Sequence, residues 1–356
     1  MTFSLNEDQR MLQEAAGRFL ADRHPPSVAR AAAGCPADAR LALWREIAEQ
    51  GWPALLAPTG HDGLGLGMRE AWVVAEAAGR HLLSLPLVAN MVVLPTLCES
   101  IPAGAVAQWA QAMMQGEMYF ADAAMRPDGS AFIEGAGAGV PALALRCLGP
   151  GSLRLERHAP LSGIGGTAGA SATAGLDPTM PVARVACPDV QEAIEVQVDA
   201  RMWRRLKTRM TLLRSAELLG AASAALDMAA AYARERRQFD RAIGANQAIK
   251  HRLADDWMAL DDARLAGMAA AASHDADAPS ADRDSLYVPL LAVEGGRRAV
   301  HNAIQVHGAL GITWECDAHL YLKRVLRLAA SLHAEASCTE WLERIWEGAG
   351  AERVAA

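Results

Sequence analysis

Apolar residues recur at intervals of three and four along most of this chain, the spacing of helices with one buried face. The pattern is clearest over Ser215 to Ala233, where Ala, Leu and Met dominate and Leu219, Ala222, Leu226, Ala229 and Ala230 share a face. It breaks at Arg234-Glu235-Arg236-Arg237-Gln238-Phe239-Asp240-Arg241, with Gly244 just beyond, and resumes from Gln247 with Ile249, Leu253 and Trp257. Two long helices joined by a basic corner are predicted. Upstream, Ser4 with Glu7 three residues on reads as a capping box opening a helix to about Ala21. Further helices are predicted over Ala37 to Gln50, stopped by Gly51, and over Met68 to His81. Leu82 to Leu97 reads as an apolar helix interrupted by Pro86 and Pro95. Downstream, helix is predicted over Arg264 to His274 and Ser285 to Val306, around a polar loop from Asp275 to Asp284.

The middle of the chain changes period. From about Gly116, short strand-like runs appear at Glu117–Phe120, Ala142–Arg146, Leu153–Glu156 and Val182–Val185, punctuated by Gly and Pro. A small antiparallel sheet is expected, with Ser162 to Ala174 as a Gly/Ala/Thr-biased loop. The chain thus divides at 1–115, 116–200 and 201–356, an α+β protein that is mainly α.

Composition narrows the function. The 356 residues exceed one ordinary domain. A net charge of −7 argues against a nucleic-acid partner, since neutralising phosphates needs a basic face. No apolar run of roughly 18 residues occurs, so no membrane span is expected, and MTFSLNEDQRM lacks a secretory apolar core. Cys35, Cys98, Cys147, Cys187, Cys316 and Cys338 show neither metal nor redox spacing, which suits buried reduced thiols in the cytoplasm. His251, His301, His307, His319 and His333 likewise lack a metal-ligand pattern, and a structural role is expected for His307.

The basic corner carries candidate chemistry. Guanidinium forks bind phosphate oxygens bidentately, and an aromatic face beside them can stack on a base; a solvated charged turn is the plainer alternative. Arg236, Gln238, Phe239, Ile243, Asn246 and Gln247 resemble the Arg-x-x-Phe segment and following Gln of the acyl-CoA dehydrogenases, which hold the adenine and pyrophosphate end of FAD. Asp240 stands where the family usually has Gly. Gln305-Val306-His307-Gly308-Ala309-Leu310-Gly311 resembles the family's Gln-x-x-Gly-Gly-x-Gly loop, with Ala309 replacing one Gly, so Gln305, Val306, Gly308 and Ala309 are implied cofactor contacts. Gly60 to Gly67 resembles the family's N-terminal Gly-Leu loop, although alone it reads as a structural loop. The family's Thr-Glu-Pro-x-Ala-Gly-Ser-Asp and Trp-Ile-Thr stretches, which cover the flavin, are absent, so the β-domain is shortened.

The resemblance implies an N-terminal helical domain, a small β-domain and a C-terminal four-helix bundle whose faces build a dimer or tetramer. It implies FAD-dependent α,β-dehydrogenation of an acyl-CoA thioester, in which a carboxylate removes the α-proton. One family position for that base falls near Ser331–Ala336, where Glu335 is about three residues out of register; the other falls on Met210. Glu217 and Glu315 read as surface and helix-start charges. A missing base and a shortened β-domain resemble the shorter chain of the heterotetrameric steroid side-chain enzymes. Three readings stay open: a chain sharing FAD and a base with a related partner, a catalytically silent scaffold subunit, and an active homo-oligomer using Glu335. The acyl chain and the electron acceptor are not specified by the sequence, and no metal is implied.

Overall fold

A computed structural model of the protein describes residues 4–101, 103–136, 139–149, 151–160, 170–171, 175–186, 188–335 and 339–345. In chain order the elements are α1 (Glu7–Arg23), α2 (Pro26–Arg30), α3 (Ala37–Glu49), α4 (Met68–Arg80), α5 (Leu87–Cys98) and α6 (Ala105–Met114). Strands β1 (Ala121–Met125), β2 (Ala131–Glu134), β3 (Ala142–Gly149), β4 (Ser152–His158), β5 (Ala170–Ser171), β6 (Val182–Val185) and β7 (Val190–Gln197) follow. Then come α7 (Ala200–Glu235), β8 (Arg237–Gln238), β9 (Arg241–Ala242), α8 (Gln247–Asp275), α9 (Ala281–His307) and α10 (Ala318–Glu335). The chain forms two compact units, one of residues 1–26, 68–82 and 211–356, the other of 27–67 and 83–210.

In the first unit, α1 and α4 join the C-terminal helices. The capping box of α1 is Asn6/Gln9 rather than Ser4/Glu7: Gln9 N–H donates to Asn6 Oδ1 at 2.8 Å and Asn6 N–H to Gln9 Oε1 at 3.1 Å. This register leaves Glu7 and Asp8 in the first turn, where the helix dipole favours them. Helices α4 and α7 cross backbone to backbone at two glycines. A Cβ on Gly79 would fall 1.9 Å from Glu217 O, and one on Gly220 1.9 Å from Glu76 O. α8 and α9 run antiparallel, clamped by the buried Asp256, which accepts from Arg298 Nε at 2.9 Å and Asn302 Nδ2 at 2.8 Å. α9 begins four residues before the sequence suggests, because Asp284 accepts from Ser273 and Ser280 hydroxyls at 2.9 and 2.8 Å and secures its first turn.

The end of α4 is gripped by side chains. His24 Nδ1 donates to His81 O at 3.1 Å, Tyr321 hydroxyl to Arg80 O at 3.0 Å and Arg324 Nη2 to Leu82 O at 3.2 Å. Leu82 turns to φ +51°, which separates α4 from α5 and explains why the apolar run after residue 81 does not continue the helix. Glu217 is no surface charge: its Oε1 accepts from the fully buried Arg324 at 3.0 Å, with Arg327 at 3.6 Å. Burial pushes His24 down to about 4 and Tyr321 up to about 12.

The second unit packs α3, α5 and α6 with a seven-stranded sheet of order β5-β6-β2-β1-β3-β4-β7. The sheet is mixed, because β1 and β3 pair in parallel while the other ladders are antiparallel. Within the expected loop at Ser162–Ala174, Ala170–Ser171 pair with β6, and the rest lies outside the described residues. Asn90 on buried α5 ties that helix to the sheet by two bonds to Phe120, donating to its carbonyl at 2.8 Å and accepting from its N–H at 2.9 Å. The Gly60–Gly67 segment folds back on its own unit through Leu64 N–H to Ala54 O and Leu66 N–H to Leu55 O, at 2.9 and 2.8 Å. That is a structural loop. Cys98 and Cys316 are buried free thiols, but Cys147 is exposed and Cys35 half-buried; Cys187 and Cys338 lie outside the described residues. No helix among the described residues is long and apolar enough to cross a membrane.

Candidate functional site

The basic corner folds into a two-residue hairpin. Arg237 pairs with Ala242 and Gln238 with Arg241, leaving Phe239 and Asp240 as the turn. Their φ values of +52° and +63° are the signature of a type I′ turn. Asp enters the left-handed region readily, so Asp240 does the conformational work of the family's Gly. A Phe in that region is strained by on the order of 1 kcal/mol. The strain projects its ring outward, and Phe239 is 94% exposed.

The hairpin is fastened to its base by the chain itself. Arg236 N–H donates to Tyr232 O at 2.8 Å, and Ile243 N–H to Arg236 O at 2.8 Å. Arg237 Nη2 donates to Asp240 O at 2.8 Å and Arg241 Nη2 to Asn246 Oδ1 at 2.7 Å, while Asn246 Nδ2 returns to Ile243 O at 3.0 Å. Asn246 and two of the four arginines thus hold the corner's shape. Arg236, Gln238 and Gln247 are exposed, and Ile243 is half-buried beneath them.

The second motif ends α9. Gly308 takes φ +63° and its N–H closes the helix onto Gln305 O and Ile304 O. A Cβ there would meet nothing within 4 Å, so the demand for Gly is conformational rather than steric. Gln305, Gly308 and Ala309 are exposed; Val306 is buried in the bundle, so only its backbone faces outward.

What joins the two motifs was not singled out from sequence. The Tyr232 ring, one turn before Arg236, stacks on His307 with centroids 4.6 Å apart and planes at 25°. The pair lies 75 residues apart in sequence, and only the presence of an aromatic ring in each motif hinted at it. The corner and the α9 loop therefore belong to one surface, rich in exposed guanidinium, amide and aromatic groups and carrying Asp240 and Glu235 as its acidic members.

Neither position for a base carries a described carboxylate. Met210 lies half-buried on α7. Glu335 is the last residue of α10, and its side chain lies outside the described residues. Glu217 is committed to Arg324 and Arg327, and Glu315 is exposed. Among the described residues no group of three or more His, Cys, Asp or Glu could hold a metal ion.

The chain matches the acyl-CoA dehydrogenase N-terminal domain over residues 6–117 and the acyl-CoA dehydrogenase C-terminal domain over residues 202–348. It belongs to the acyl-CoA dehydrogenase family, whose members are FAD-dependent oxidoreductases of acyl-CoA thioesters. Among its relatives is the acyl-CoA dehydrogenase IpdE2 of Mycobacterium tuberculosis, 31% identical over 350 residues, 96% of this chain and 98% of that one. The fold is that of the steroid acyl-CoA dehydrogenase Tcur3481-Tcur3483, with a TM-score of 0.78 at 22% identity over 99% of this chain and 100% of that chain. The ChsE4-ChsE5 complex from Mycobacterium tuberculosis gives a TM-score of 0.74 at 24% identity, over 98% and 99% of the two chains.

Proposed function

We propose that this chain is one half of a heteromeric cytoplasmic acyl-CoA dehydrogenase, and that Arg236, Gln238, Phe239, Gln247, Gln305 and the Gly308–Ala309 backbone hold the nucleotide tail of FAD. The observation carrying this reading is the single surface made by the hairpin and the α9 loop across the Tyr232–His307 stack. Its donor set fits the tail. The Arg236 guanidinium and the amides of Gln238, Gln247 and Gln305 face solvent, where they can meet phosphate oxygens, and the Phe239 ring offers a stacking face. Arg237 and Arg241, whose guanidiniums are spent on the hairpin, add charge without moving.

When bound, FAD accepts the hydride lost from the β-carbon of the acyl thioester. This chain's part is to fix the dinucleotide by its tail, and Ile243 and Asn246 keep the corner rigid for that task. The α-proton goes to Glu335 or to a carboxylate of a related partner chain; the second is favoured by Met210 standing at the other family position and by Glu217 being bound in an ion pair. A heteromeric partner also suits the exposed apolar residues of the helix leaving the corner, Trp257 and Met258, 60% and 51% exposed on α8. The substrate class is a bulky ring-bearing acyl-CoA, by likeness to the steroid-type neighbours.

The test is to purify the chain with and without a co-expressed longer acyl-CoA dehydrogenase chain and to measure flavin absorbance per protein. Flavin is expected in the co-purified complex, with turnover that survives Glu335→Gln. A colourless complex overturns the cofactor assignment, and loss of turnover in Glu335→Gln with flavin retained moves the base to this chain.

A further inference from the structure

We infer that His307 is itself a ligand-facing residue of the dinucleotide site, its Nε2 accepting a hydrogen bond from an O–H or N–H donor of the nucleotide tail. This rests on the assignment of the tail to the corner and α9 loop, and adds to it a polar contact that the motif pattern does not supply. Three observations fix the imidazole. Its Nδ1 lies 2.8 Å from Ala303 O; a carbonyl oxygen only accepts, so Nδ1 carries the proton and Nε2 of the neutral ring is left with a lone pair. Its face is covered by Tyr232 at 4.6 Å, which holds the ring plane. And although the residue as a whole is buried, Nε2 is not among the buried side-chain atoms lacking a partner, so this edge still reaches the surface.

That edge opens between exposed Gln305 on one side and exposed Gly308 and Ala309 on the other. A nucleotide tail supplies what the lone pair needs. The arginine corner offers donors only and satisfies phosphate oxygens; the tail's own donors, the ribose hydroxyls and the adenine amino group, need an acceptor. His307 is a neutral one, and it adds no negative charge beside the diphosphate.

The experiment titrates FAD into apo-protein, in the co-purified complex, by quenching of flavin fluorescence. His307→Phe keeps a ring to stack on Tyr232 and removes the acceptor, and its Kd is expected to rise roughly 2- to 10-fold, the size of one net hydrogen bond. Tyr232→Phe keeps the stack and should match wild type. A wild-type complex that fails to bind FAD defeats the tail assignment itself, whereas wild-type binding with an unchanged His307→Phe Kd defeats only the role of His307. A second measurement needs no variant. Diethyl pyrocarbonate modification of His307, read by peptide mass spectrometry, should fall when FAD or ADP is present. An extent that is the same with and without either nucleotide overturns the inference.

Discussion

Residue by residue, the strongest constraints in this protein sit where charge is buried, and they are where sequence and structure part. Glu217 and Arg324 are 107 positions apart, and nothing in the local pattern of either reports the ion pair. Arg324 is fully buried and also caps Leu82 O, so Arg324→Met strands a carboxylate and a carbonyl together. A loss of about 3–5 kcal/mol is expected in urea melts. The imidazole of His24 makes a pH-dependent contribution of known sign. Burial lowers it from 6.5 to about 4, so between those values the unfolded chain takes a proton that the folded chain refuses. Stability is therefore fully present above pH ~6.5, falls as pH drops toward 4 and levels off below it, by up to about 3 kcal/mol. His24→Asn retains a donor without titrating, and its acid-dependent loss should be smaller by that amount; equal losses in both proteins would remove the assignment. Arg236 and Phe239 were legible because their types announce phosphate and base contacts. His307 was not, since its role depends on a ring that folding brings beside it.

At the scale of elements, the helices were legible wherever a single apolar face ran for several turns. α3 and α4 match the expected spans to within a residue, and α8 begins where the apolar period resumes. α7 is longer than its Ala-rich half suggests, because its first turns alternate buried Met202, Leu206 and Leu213 with arginines that mask the period. β7 escaped notice for a related reason: Gln191, Glu192 and Glu195 interrupt its apolar residues on a strand at the sheet edge. α6 is short, and its period was submerged in a generally apolar stretch. The α4–α7 crossing depends on a feature that no period reveals, two glycines meeting backbone to backbone. Gly220→Ala would drive a methyl into Glu76 O, and a destabilisation of about 1–3 kcal/mol, read by thermal melting, is expected.

For the whole molecule, the fold alone would have left function open, because one architecture can host many chemistries. The family assignment rests on motifs at two distant points of the chain, and the structure shows why two are needed: each supplies part of one surface. The missing base and the exposed apolar side chains of α8 point the same way, to a chain that works in an assembly. Replacing Trp257 and Met258 with Glu should lower the assembled mass in light scattering while each unit keeps its helical signal; an unchanged mass would place the interface elsewhere. The most direct measurement of the central claim is the FAD dissociation constant of Arg236→Ala against wild type, in the complex with its partner. Removing one charged donor from the diphosphate is expected to weaken binding roughly 10- to 100-fold with the assembly intact, and an identical constant in the two proteins would contradict the assignment of this corner to the cofactor.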